Sequence, residues 1–251
     1  MDSLKQYLKI IGLLAIAAGL FILLPSFCGK GKFRTLDYSH WFRDTAAVAA
    51  TEVPEEPPMP AGPDTSAHKI LLFGDSMIEG LRFRMSQYCV ANGHELQCVI
   101  WYSSSSKYWA RGDTVTHFIR KYNPTYLFIS MGANELFVRN LDEREAAVKR
   151  ILQEVGNIPY IWIGPPNWKP DTGINRILEE QCGPSHYYPS LNLRYTRSRD
   201  GCHPDMKSYN MWADSIATWL RTSSAHPIRW ETPDKDTPKT HHVQILRSPK
   251  D

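Results

Sequence analysis

The chain predicts an α/β domain, a three-layer arrangement in which a parallel sheet of about five strands is covered by helices on both faces. Three observations lead there. Short apolar runs alternate with helix-spaced stretches between residues 68 and 222. The runs are apolar throughout, as strands buried on both faces are, rather than alternating with polar residues. Several of them end at a glycine or a small polar residue, where a strand would hand over to a loop. Strand followed by helix, repeated, makes right-handed crossovers and so a parallel sheet.

The elements follow in order. Lys69-Ile70-Leu71-Leu72-Phe73-Gly74 is the first strand. Residues 77–92 read as a helix, closed by Asn92-Gly93. Residues 96–102 are a second strand, followed by the serine run at 103–106, and residues 111–122 read as helical. A third strand covers 125–131. Residues 143–155 carry Ala147, Ile151 and Val155 on one helical face. Residues 159–164 give a fourth strand, 174–182 a helix, and 191–193 a short fifth strand. The last helix spans 205–221, with Met211, Ile216, Trp219 and Leu220 apolar. Residues 223–251 show no periodicity and read as a C-terminal tail.

The 251 residues suit one domain with extensions, and 42% hydrophobic residues suffice for its core. A net charge of +3, with Lys and Arg scattered rather than striped, argues against a nucleic-acid partner. Residues 10–29 hold no charged side chain, a run long enough to cross a bilayer. Phe27 before Cys28 fits a lipoprotein cleavage site poorly, so residues 1–32 read as an uncleaved signal anchor, with a cleaved signal as the alternative. Lys5 and Lys9 before the span and Lys30, Lys32 and Arg34 after it leave its orientation open on charge. Residues 33–67 form a stalk, whose prolines between 54 and 63 favour an extended linker. The globular domain is therefore 68–222, expected to be monomeric.

Three motifs fall where the strands would end or the last helix begin: Gly74-Asp75-Ser76, Gly132-Ala133-Asn134-Glu135 and Asp200-Gly201-Cys202-His203-Pro204. Loops at the carboxyl ends of such strands build active sites. A serine hydroxyl becomes nucleophilic when a base takes its proton, and His203 can be that base. Asp200, three residues earlier, can hold the imidazole in the required tautomer. The resulting oxyanion needs donors placed in advance. The Ser76 N–H, the Asn134 amide and an N–H of the 103–106 loop can supply them. Each motif alone is an ordinary turn or cap; order, spacing and strand-end placement together make the set catalytic.

On these motifs the sequence resembles the SGNH or GDSL hydrolases over roughly residues 68–221. The resemblance implies a flavodoxin-like sheet, no metal or organic cofactor, Ser76 as nucleophile, His203 as base and Asp200 as orienting acid. It also implies an oxyanion hole of Ser76, Asn134 and a backbone donor from a second block. That block usually holds a glycine. Here it is four serines, of which Ser105 is preferred over Ser104. Glu135 stands where the family has Asp. The implied activity is hydrolysis of O-acyl, especially O-acetyl, esters on carbohydrate or cell-envelope polymer. An O-acyltransferase with the same triad and a catalytically silent glycan-binding domain remain alternatives. Asn167 and Trp168, after the fourth strand, are candidate substrate-binding residues.

Four cysteines in the domain allow three pairings. Cys89–Cys98 and Cys182–Cys202 are the favoured bridges, the second bracing the Asp200–His203 loop. Such bridges would suit an oxidising compartment and an extracytoplasmic, membrane-anchored domain. His241-His242 lacks further ligands, so no metal is expected.

Overall fold

A computed structural model describes residues 62–248. The apolar run at 10–29, its orientation and nearly all of the stalk lie outside the described residues. Among those described, no helix is long and apolar enough to cross a membrane.

The elements are β1 (Lys69–Gly74), α1 (Ile78–Asn92), β2 (Glu95–Trp101), α2 (Ser106–Trp109), α3 (Thr114–Tyr122), β3 (Tyr126–Ser130), α4 (Leu141–Val155), β4 (Tyr160–Ile163), α5 (Ile174–Cys182), β5 (Tyr187–Tyr188), a 3-10 turn (Ser190–Asn192), α6 (Met206–Thr222) and β6 (His242–Leu246). They form one sheet in the order β5-β4-β3-β1-β2-β6. Every pairing in it is parallel. The order reverses between β1 and β3, and at such a switch point the loops leaving the strands part and leave a crevice. Ser76 and Asn134 follow those two strands.

The strands are apolar on both sides because both sides are covered. Ile70 and Leu72 of β1 join Cys98, Phe128 and Ile161 in a core closed by α1 and α6. Leu71 and Phe73 point the other way, with Val99, Leu127 and Trp162, into a core closed by α3, α4 and α5. The one-residue alternation of a strand thus feeds two layers.

Several expectations change. The sheet has six strands rather than about five. The fifth lies at Tyr187–Tyr188, paired with Trp162 and Ile163, while the region expected as a strand at 191–193 is mostly a 3-10 turn. Pro189 has no N–H to give a ladder, which ends the strand there. The helix expected from residue 111 starts at Thr114, because Gly112 takes φ +58 and separates it from the short α2.

The region expected as a tail is packed as far as it is described. Ile228 and Trp230 are buried, Trp230 stacks on Tyr88 at 5.5 Å, and β6 pairs with β2. Asp64 clasps the same segment, donating to Pro227 and accepting from Arg229, so the folded unit begins before residue 68.

Cys89, Cys98, Cys182 and Cys202 are free thiols, contrary to the expected bridges. Cys182 ends α5, and a crossover helix ends at the amino edge of the sheet. Cys202 precedes α6 and so sits at the carboxyl edge, too far across the sheet for a disulfide. Cys89 and Cys98 share one apolar layer, where burial pushes the Cys98 thiol up to about 12. The cysteines therefore lend no support to an oxidising compartment.

Candidate active site

The chain leaves β1 at Gly74, and only glycine fits there: a Cβ would lie 1.7 Å from the Ser130 carbonyl oxygen. Asp75 N–H donates to that same carbonyl at 3.1 Å, so the turn is drawn tight against β3. Ser76 follows, half-buried, at the entry to α1. Its hydroxyl lies 2.8 Å from His203 Nε2, and His203 Nδ1 lies 2.6 Å from Asp200 Oδ2. A carboxylate only accepts, so Nδ1 carries the proton and Nε2 is left to accept from Ser76. The three residues expected to form a triad, 127 positions apart at the extremes, are brought into one hydrogen-bonded line.

Asp200 is held within its own loop. Its Oδ1 accepts from Ser198 Oγ at 2.9 Å, Cys202 N–H at 2.8 Å and His203 N–H at 2.9 Å. The hydrogen bond with His203, then those backbone donors, hold its carboxyl well below the usual range. Asp205 then caps α6 by accepting from Ser208 N–H at 2.7 Å, which fixes where the loop ends.

The expected oxyanion donors lie on neighbouring loops. Asn134 Nδ2 donates one hydrogen to the Ser104 carbonyl at 2.8 Å and keeps a second. Ser104 N–H is taken up by the Trp101 carbonyl at 3.2 Å. The Ser76 and Ser105 N–H groups have no hydrogen-bond partner among the described residues. Of the two serines named for the second backbone donor, Ser105 keeps its N–H unused among the described residues and Ser104 does not. Ser103 takes φ +58, a conformation glycine adopts more readily, in the block where the SGNH pattern has its glycine.

Of the two candidate substrate residues, one is occupied. Asn167 Nδ2 donates to Asp171 and its Oδ1 accepts from Asn175, both at 3.1 Å, so its amide braces the loop after β4. Trp168 donates its indole N–H to the Ala133 carbonyl at 3.0 Å and meets Phe137 edge-on at 6.0 Å. Phe137 is exposed, which leaves an aromatic face beside the Asn134 loop.

Three further side chains carry parts of this site without a role assigned from the sequence. Asp75 is fully buried, accepting from Met77 N–H at 2.9 Å and Ala133 N–H at 3.2 Å. Burial raises its carboxyl to about 7 against the pull of those two donors. Glu135 is equally buried and accepts twice from Ser106; burial raises its carboxyl too, opposed by Ser106 and Arg144. Arg197 donates to the Cys202 carbonyl at 2.9 Å and the Asn167 carbonyl at 2.6 Å, tying the His203 loop to the β4 loop. Asp75 and Glu135 stand within the motifs, but the partners that give them their roles, Ala133 and Ser106, are distant in the chain. Arg197 lies outside the motifs, with one partner five residues away and the other thirty. Among the described residues, no group of three or more His, Cys, Asp and Glu side chains could hold a metal ion.

No family model matches the sequence, and no curated protein does. Among solved structures, the chain is similar to a gut microbial diltiazem-metabolizing enzyme at 12% identity and a TM-score of 0.28. The similarity covers 73% of this chain and 38% of that enzyme. The chain thus spans well under half the length of that neighbour, and the chemistry of the site has to be read from its own geometry.

Proposed function

We propose that this chain is a serine esterase of SGNH type, acting on small O-acyl esters and first of all on O-acetyl groups of a carbohydrate or envelope polymer. The observation that carries the reading is the continuous line Ser76 Oγ to His203 Nε2 at 2.8 Å and His203 Nδ1 to Asp200 at 2.6 Å. The strand order β2-β1-β3-β4-β5, with β6 added outside β2, supports the reading, since it is a doubly wound order with a switch point beside Ser76.

The chemistry follows from the atoms. Ser76 Oγ attacks the ester carbonyl as His203 Nε2 takes its proton, and Asp200 stabilises the imidazolium. The oxyanion is met by the Ser76 and Ser105 N–H groups and the second hydrogen of the Asn134 amide, each worth about 3 kcal/mol in such sites. Collapse breaks the bond to the alcohol, which leaves with the proton from His203. Water, deprotonated by His203, then attacks the acyl-serine, and the acid departs. No cofactor enters these steps.

The test is hydrolysis of p-nitrophenyl acetate and of a panel of acetylated sugars and longer acyl esters. Ser76→Ala should lower kcat by at least about 10³-fold without loss of fold. Equal rates in the two proteins would sink the reading. We also propose that residues 10–29 anchor the domain at the outer face of a membrane. Extraction of the full chain by alkaline carbonate without detergent would contradict the anchor.

A further inference from the structure

Glu135 departs from the SGNH pattern, and it sits where two loops meet. The loop after β2 and the loop after β3 are not neighbours through the sheet, because β1 lies between those strands. They are nevertheless joined above the end of β1 by three hydrogen bonds. Asn134 Nδ2 donates to the Ser104 carbonyl at 2.8 Å, Ser106 N–H to Glu135 Oε2 at 2.9 Å, and Ser106 Oγ to Glu135 Oε1 at 2.7 Å. Both oxygens of one carboxylate thus grip one residue, and that residue begins α2. The Arg144 side chain, from α4, reaches to 3.5 Å from Glu135 Oε1 and is itself only 11% exposed. Glu135 has no exposed surface, and among the described residues Ser106 and Arg144 are the partners that answer its charge.

The grip has a consequence for the residues on either side. Ser105 N–H is free and lies between Ser104 and Ser106, each of which is tied to the β3 loop. Asn134 is bonded directly to Glu135 in the chain. Fixing residue 106 against residue 135 therefore fixes the spacing of Ser105 N–H and the Asn134 amide, which follow different strands. We propose that Glu135, backed by Arg144 and gripping Ser106, is a positioning residue that sets the distance between the two oxyanion donors contributed by the β2 and β3 loops.

This inference rests on the esterase reading above and deepens it. Glu135 touches neither substrate nor reacting atom. Its contribution is preorganisation, and an oxyanion hole acts through donors already in place when charge develops. A donor displaced by a fraction of an ångström is weakened in the transition state while ester binding is little changed. The signature is a fall in kcat at constant KM, together with weaker capture of a tetrahedral anion on Ser76.

The experiment uses the full chain and the variants Glu135→Gln, Glu135→Asp and Ser106→Ala, with steady-state hydrolysis of p-nitrophenyl acetate, thermal melting, and inhibition by an alkyl boronic acid, which forms a tetrahedral anion on a serine nucleophile. In Glu135→Gln the negative charge is lost and an amide NH2 at the Oε1 position faces the Arg144 Nε donor, although Ser106 Oγ can turn to accept from it; kcat should fall about 10- to 100-fold with KM unchanged, and boronate affinity should fall in parallel. Glu135→Asp keeps both acceptors, though on a shorter stem, and should recover part of the loss. Ser106→Ala keeps the N–H contact, so it should fold and lose only about 3- to 10-fold. A Ser106→Ala protein with wild-type kcat and boronate affinity overturns the proposal even if both Glu135 variants fail to fold. Variants that melt earlier yet keep wild-type kcat overturn it too, by assigning Glu135 to packing alone. The esterase reading fails separately: wild type and Ser76→Ala would then hydrolyse the ester equally, and the proposal would fall with it.

Discussion

The two halves of the site are built in opposite ways. The loop bearing Asp200 and His203 is braced from within, with Asp200 accepting from Ser198, Cys202 and His203, all within three residues of it. The turns bearing Ser76 and Asn134 are braced across the chain: Asp75 accepts from Ala133, 58 positions away, and Glu135 from Ser106, 29 positions away. Asp200 is half exposed, while Asp75 and Glu135 have no exposed surface. Two aspartates at one site therefore move in opposite directions, Asp200 down through its hydrogen bonds and Asp75 up through burial. The contrast is between a charge that works in solvent and a charge that organises a core.

The largest effect that separates the halves is expected at Asp200. Asp200→Asn keeps an oxygen for the loop N–H groups but places no negative charge against His203 Nδ1. Without that charge the imidazole can take the other tautomer, with Nε2 protonated against Ser76. The expected loss in kcat is about 10²- to 10⁴-fold. The residue is exposed, so the free energy of unfolding should barely move. Ester kinetics and urea unfolding on one preparation check both. An Asn variant with wild-type kcat, or one that is strongly destabilised, would erase the distinction between the halves.

Asp75→Asn should do the reverse, acting on stability first. The Asn oxygen can accept from Met77 N–H or Ala133 N–H, but its amide then faces the other donor, at a cost of about 1–3 kcal/mol. The pH dependence carries a sign. The folded-state pKa of Asp75 is raised from 3.8 to about 7, so the native chain holds this proton more tightly than the unfolded one. Its contribution to stability is full below the unfolded value and is lost as pH rises through the folded one. The stability advantage of wild type over Asp75→Asn should therefore shrink by on the order of 4 kcal/mol between pH 4 and pH 8, a rise of about three pH units at about 1.4 kcal/mol each. Asp200, with its pKa depressed, gives the opposite sign: its contribution is present above its unfolded value and is lost as pH falls below it. Urea unfolding of wild type and Asp75→Asn across this range reads the first, and comparison with Asp200→Asn below pH 4 reads the second, which is small because Asp200 is exposed. An Asp75→Asn difference that is constant or grows with pH would overturn the account of that carboxyl.

The same division explains what was legible in the sequence. The Asp200-Gly201-Cys202-His203 loop was readable because its partners lie within a few residues, so spacing carried the geometry. Strands β1, β3 and β4 were readable because burial on both faces leaves an unbroken apolar run. β6 was not, since it is an edge strand with exposed His242 and Ile245 and only partly buried neighbours, which leaves no pattern to see. β5 lies a few residues before the expected 191–193: Leu191 is 46% exposed, and the buried pair is Tyr187 and Tyr188. That the Asn167 amide is engaged is not legible, because its partners Asp171 and Asn175 belong to a loop and a helix start whose approach only folding brings about. Glu135 looked like a departure in a motif, and its partner across the gap was invisible for the same reason.

Arg197 joins the two regimes and gives the smallest of the expected effects. One guanidinium nitrogen serves the self-braced loop through the Cys202 carbonyl, and the other serves the β4 loop through the Asn167 carbonyl. The plane of the group also lies over Tyr195, at 4.9 Å from its ring centre. A lysine can keep charge and reach, but its single ammonium cannot hold two separated carbonyls in the fixed fork of a guanidinium. Arg197→Lys should therefore release one carbonyl, costing about 1 kcal/mol of stability. If the His203 loop is truly braced from within, kcat should fall only about 2- to 5-fold, because the Asp200 hydrogen bonds keep the imidazole aimed at Ser76 without help from β4. Ester kinetics and urea unfolding of this variant read the two quantities separately. A loss in kcat comparable to that of Asp200→Asn would mean that the loop owes its geometry to the β4 side after all.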